Sequence, residues 1–179
     1  MSESAGASKS HRRPHPVVSP LVAAGVTALP GLVAIASGQV LLFPSLGPSA
    51  VMQAHSPEHH SSRFYNVVVS HVVGLAAADL SVLVLGLARA PSVFQLHTVT
   101  AARVAAAVLA IALGTAVEIS LDAMHPPAAS TTLLVALGSF RPTLHDAALV
   151  IIGVLIVASA GEAVRQLRLR HAEAPTPAG

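Results

Sequence analysis

The stretch "TVTAARVAAAVLAIALGTAVEISLDAMHPPAASTTLLVALG" (residues 98–138) decides the fold. Its first part, 98–121, is apolar apart from Arg103 near one end and Glu118 near the other. A helix of that length crosses a hydrocarbon core of about 30 Å. Then Asp122, His125, Pro126 and Pro127 interrupt the run. Proline lacks an N–H and clashes with a preceding carbonyl, so the helix must end near His125. A second helix can start with Pro in its first turn. It runs apolar for only two or three turns, too short to span alone. Irregular backbone at membrane depth survives only inside protein or along a wet cavity.

The rest of the chain has the same character. Of 179 residues, 53% are hydrophobic and 10% charged. Soluble chains carry about 25% charged residues, so this is bilayer composition. With no Cys there is no disulfide framework, thiol chemistry or Fe–S ligation. The net charge of +2 comes from cations at the ends of apolar runs, not from a basic face for nucleic acid. The opening "MSESAGASKSHRRPHP" (1–16) reads as a disordered basic tail, since the apolar run after it is far longer than a signal-peptide core.

Three further spans are expected. Residues 17–43 carry no charge, with Ser19 as a cap, Pro20 in the first turn and a kink at Pro30-Gly31. Residues 64–88 hold Asp79 near their centre. Residues 144–165 follow a Thr143/Asp146 capping box. A second short apolar piece, "FPSLGPSAVMQAH" (43–55), follows the first span as 125–138 follows the third. Shifting the first half by 79 residues lays Pro48 on Pro127. The fold class is therefore an all-α polytopic membrane bundle. It has four full spans, two short re-entrant half-helices and an internal two-fold repeat with halves of about 17–88 and 96–166. A polar tail, 167–179, closes the chain.

With both termini cytosolic and the short helices dipping from outside, Lys9, Arg12, Arg13, Arg89, Arg103, Arg165, Arg168 and Arg170 lie inside and Arg63 and Arg141 outside. That eight-to-two bias obeys the positive-inside rule. If both short pieces cross fully, six crossings and an inverted repeat result, with a bias of seven to three. The larger bias favours the first arrangement, in a bacterial-type plasma membrane.

The breaks are the candidate site. A helix starting at Pro127 would offer free N–H groups on Ala128, Ala129 and Ser130, with about half a positive charge at that end. Thr131 adds a hydroxyl, and Ser45, Gly47, Pro48 and Ser49 offer the same device in the first half. Two such ends near the midplane suit a small anion. The competing reading is a pair of interfacial connectors.

Carboxylates and histidines supply proton-relay candidates. Asp79 should face protein or water, because a membrane-centre charge costs at least about 2.5 kcal/mol. His71 lies two turns earlier on roughly the same side, where the alternative is a packing hydrogen bond. Glu118, Asp122 and His125 fall on one helical stripe. Arg103 and Glu162 are expected to form a structural ion pair. His55, Glu58, His59 and His60 read as a solvated loop rather than a metal site, since Pro57 argues against a helix there.

At these residues the chain resembles the HPP family of small integral membrane proteins. His125-Pro126-Pro127-Ala128 followed by small and hydroxyl residues is the family signature. "FPSLGPSA" (43–50) and Asn66 with His71 also look like family positions, and the resemblance covers about 17–166. It implies a four-span protein and, from members in plastids and cyanobacteria, a nitrite carrier. The family's common "HPPAGAT" reads "HPPAAST" here, so Ala129 stands where the family has Gly.

The expected function is thus a transporter or channel for a small, nitrite-like inorganic anion, with proton coupling a further expectation. The rivals are a divalent-metal or other cation transporter and a non-transporting membrane scaffold. No enzyme motif such as His-Glu-x-x-His or Gly-x-Ser-x-Gly is present. No cofactor, metal or nucleic acid is expected. The partners are the lipid bilayer, the anion and, since four spans are few for a sealed pathway, a second copy in a homodimer.

Overall fold

The structure is a computed structural model and describes residues 17–173. The predicted tail 1–16 and residues 174–179 lie outside the described residues. Seven α-helices make up the described chain: α1 (Val18–Ser37), α2 (Leu46–His55), α3 (Phe64–Val84), α4 (Val93–Leu96), α5 (Ala101–Ser120), α6 (Ala128–Ala136) and α7 (Leu144–Glu173). A 3-10 turn, His60–Ser62, precedes α3. Helices α1, α3, α5 and Leu144–Arg170 of α7 are long and apolar enough to cross a membrane. The apolar faces remain bare: Leu21, Leu32, Ile35, Val108, Ile119 and Leu144 are all more than 60% exposed. Lipid is the solvent such faces need.

Helix α3 is the centre of the bundle, packed on α5, α6 and α7. Small residues allow this. A Cβ on Gly74 would collide with Thr132 Oγ1, and Gly114 meets Gly74 and Ala77 across the α3–α5 contact. Membrane helices without a hydrophobic driving force associate through such close approaches. Val67, Val150, Val154, Val157 and Leu46 fill the middle, all nearly fully buried.

The direction of the helices corrects the re-entrant arrangement. The end of α7 meets the start of α1 and the end of α2, because Arg168 donates to Ser19 Oγ and to the Ala54 carbonyl. The start of α3 is at that same end, where the Phe64 N–H donates to Glu162 at 3.1 Å. So α1 and α3 run parallel, and α5 and α7 run opposite to them. A segment that dipped and returned would have made α1 and α3 antiparallel. Instead, residues 38–55 carry the chain back along the whole bundle, first extended and then as α2. Residues 121–136 do the same in the second half, in the opposite direction.

The extended lead-in survives because it is covered. Leu41 and Phe43 are buried, and Gly153 of α7 lets the Leu41 carbonyl pass within 2.7 Å of where a Cβ would stand. Two end signals also differ from expectation. Helix α1 begins at Val18 without a side-chain cap, since Ser19 is engaged by Arg168. At α7, Thr143 does accept from the Asp146 N–H, but the Asp146 carboxylate accepts from Arg141 N–H instead of closing the box.

Candidate functional site

The two short helices meet N-terminus to N-terminus in the middle of the bundle. Ser45 Oγ and Thr131 Oγ1 are 2.6 Å apart, and Ser49 Oγ lies 2.9 Å from His125 Nε2. All four residues are essentially fully buried. Ser45 sits just before α2 and Ser49 one turn into it. His125 sits two residues before Pro127, the N-cap of α6, and Thr131 one turn inside that helix. The His-Pro-Pro break therefore aims the imidazole at the other half of the molecule. The His125 Nδ1–H donates to the Ser61 carbonyl at 2.7 Å, which fixes the tautomer and leaves Nε2 as an acceptor.

The backbone donors are not free as expected. Ala128, Ala129 and Ser130 N–H donate to the carbonyls of His125, Pro126 and Pro127 at 2.9–3.1 Å. The break is a tight turn that consumes its own donors. The half-helix dipole remains, and the side chains, not the amides, carry the polar contacts. Among the described residues no carboxylate bonds any of the four junction side chains.

The other ends of the short helices are treated differently. Arg103 donates to the Ala136 carbonyl at the end of α6, and to Ala90 and Pro91 carbonyls. Arg168 donates to the Ala54 carbonyl near the end of α2. A guanidinium on a helix C-terminus matches its negative end. This overturns the expected Arg103–Glu162 pair: the two lie at opposite ends of the bundle, and Glu162 pairs with Arg165 at 2.8 Å. Gly138, with φ +92°, leaves room for the Arg103 guanidinium 2.6 Å from where its Cβ would stand.

The remaining predicted residues divide into separate places. Pro126, Ala129 and Glu118 line a cavity of about 190 Å³ between α5 and α6, none of them bonded to the four junction side chains. Pro48 is exposed, and Gly47 and Ser130 are half-buried. The Glu118–Asp122–His125 stripe does not exist, because α5 ends at Ser120 and Asp122 adopts φ 50° with an exposed carboxylate. The Asp79–His71 relay is not joined either. His71 donates from Nδ1 to the Val67 carbonyl and packs its ring on His125, with centroids 5.4 Å apart. Asp79 lies about 12 Å farther along α3, half-buried, with Oδ1 lacking a hydrogen bond.

Ser61, Arg168 and Ser70 were missed by sequence reasoning. Ser61 stands in the "HSPEHHSSR" loop, and nothing in its neighbours marks its carbonyl as a partner for His125. Arg168 counted only as a positive charge near a span end. Ser70 donates to the Ala123 carbonyl and holds the break against α3. At the end of the bundle opposite the start of α1 and the end of α7, a cleft of about 600 Å³ gathers Arg89, Arg103 and Arg141 beside Asp146.

No curated protein and no solved structure matches this chain. A family model, the HPP transmembrane region, matches residues 11–173, nearly the whole length. With four apolar helices long enough to cross a bilayer and this match across them, the chain is an integral membrane protein of the HPP transmembrane region family.

Proposed function

We propose that the protein is a transporter for a small inorganic anion, nitrite being the first candidate, with the junction of α2 and α6 as its binding site. One observation carries the reading. Two helix N-termini, each with about half a positive charge, converge in the middle of the bundle while their C-termini are neutralised by Arg103 and Arg168. No carboxylate bonds these ends among the described residues; hydroxyls and an imidazole stand there. An anion entering between Ser45, Ser49, His125 and Thr131 would receive donors that now bond one another. The arginine-lined cleft at the far end would gather anions on the way in.

The inverted direction of the halves suits alternating access. We place both termini in the cytosol. Arg103 is buried on carbonyls, so it drops out of the loop charges. The bias is then seven to two for six crossings and the same for four. Charge balance thus no longer favours the re-entrant arrangement. Flux into proteoliposomes, with nitrite, nitrate, chloride and Zn²⁺ measured side by side, tests the reading. Saturable nitrite flux above protein-free vesicles is expected. Zn²⁺ flux without anion flux would replace it with the cation reading, and no flux of any kind with the scaffold.

A further inference from the structure

We propose that the buried imidazoles of His71 and His125 together take up one proton when the junction takes up its anion, so that anion and proton move as a unit. This deepens the anion reading and rests on it.

The geometry begins with the tautomers. His71 is 1% exposed and His125 0%. Each has Nδ1 at 2.7 Å from a carbonyl, Val67 and Ser61 respectively. A carbonyl only accepts, so both Nδ1 atoms carry hydrogen and both neutral rings present a bare Nε2. The His71 Nε2 is buried without any partner. Such an atom in a fully packed interior calls for an explanation.

Ser49 links the His125 ring to α2. Its hydroxyl lies 2.9 Å from His125 Nε2 and 3.0 Å from the Ser45 carbonyl. Both are acceptors when the ring is neutral, and the hydroxyl has one proton to give. The Ser45 carbonyl keeps the Ser49 N–H at 3.4 Å, but with a neutral ring the hydroxyl can serve only one of the two contacts at a time. A proton on His125 Nε2 lets both form together: Nε2–H donates to Ser49, and Ser49 donates to Ser45. With the rings 5.4 Å apart, two charges would repel, so the pair holds a single proton and titrates as a unit.

The surroundings decide the coupling. From α5, Glu118 reaches toward Ser70, one residue before His71. From the turn before α3, His60 bonds Asn66 and lies 3.7 Å from Asp122. From α7, Glu162 is held by Arg165. From α2 the Ser49 hydroxyl meets His125 Nε2, and from α6 the Thr131 hydroxyl bonds Ser45. A cation here faces two positive helix ends, so it is disfavoured alone and favoured once an anion arrives. Linkage then requires that the proton raise anion affinity by the same factor. The proton enters with the anion and leaves with it, and no bond to the anion is made or broken.

The test uses the full chain, ¹⁵N-histidine labelled, in lipid nanodiscs with nitrite as the probe. His71→Asn identifies the His71 resonance, and its amide can keep the bond to Val67. Nitrite should raise the proton affinity of the pair tenfold or more, about one pH unit, seen as conversion of Nε2 to its protonated form. In proteoliposomes, nitrite flux should carry roughly one proton per anion after subtraction of protein-free vesicles, and less in whatever flux His71→Asn retains. Nitrite flux with both Nε2 atoms unprotonated and no accompanying proton overturns this inference alone. No nitrite flux and no nitrite effect on the rings overturns the anion reading and this inference with it.

Discussion

The two ends of each short helix are built from opposite chemistry. At the C-termini a guanidinium meets the last carbonyls: Arg103 on α6 and Arg168 on α2. At the N-termini, where a carboxylate would be the matching partner, the chain places Ser45, Ser49, His125 and Thr131. Charge is compensated at one end and left open at the other, in both halves. The difference separates holding the fold from receiving a ligand.

The largest effect expected concerns topology, because the N-termini can meet only if the halves run in opposite directions. A single cysteine in the 89–97 linker should react with an impermeant reagent from the side opposite the chain termini. Labelling from the same side as the termini would break the comparison at its root.

Next comes the compensated end. Arg103→Ala would strand the carbonyls of Ala90, Pro91 and Ala136. At about 1–3 kcal/mol per buried group left unpaired, several kcal/mol of stability should go. Thermal unfolding in detergent reads this, and the anion affinity of the surviving folded fraction should change little. Affinity loss without a stability loss would invert the assignment of the two ends.

A smaller loss belongs to the lead-in that delivers α2 to the junction. Gly153→Ala puts a methyl 2.7 Å from the Leu41 carbonyl and 2.9 Å from Phe43. Overpacking of this kind costs about 1–3 kcal/mol. An unchanged unfolding temperature would mean that residues 38–45 do not bear on α7.

Smallest is the open end. Thr131→Ala removes one neutral hydroxyl contact, worth about 1 kcal/mol, and should weaken nitrite affinity roughly fivefold while stability moves little. An equal loss for Arg103→Ala and Thr131→Ala in both assays would erase the distinction between the ends.

Much of this fold was legible in the sequence, for physical reasons. Four apolar runs and the Pro-Gly punctuation are local signals, and α1, α3, α5 and α7 appear where those signals stand. The short helices follow equally from Pro48 and Pro127. Helix direction was not legible. It rested on a charge count in which Arg103 looked like a loop cation, when it is a buried cap. The junction was half legible. Ser45, Ser49, His125 and Thr131 converge, but their partners are one another, and the Ala128–Ser130 amides close a local turn. Asp79 drew attention as the deepest carboxylate, while His71 Nε2 and Asn66 Oδ1, beside the break, are also buried without a partner. Which side of a helix meets which neighbour is a tertiary fact, and residue spacing on one helix does not contain it.

The most direct test of the open-end account is nitrite uptake by Ser49→Asp. It places a carboxylate where two helix N-termini converge and where His125 Nε2 is 2.9 Å away. An aspartate there would supply the missing negative charge permanently and pair with a protonated His125. The account predicts a protein that inserts, unfolds at an equal or higher temperature than the wild type, and no longer takes up nitrite. Uptake with unchanged nitrite affinity in a folded Ser49→Asp protein would contradict it.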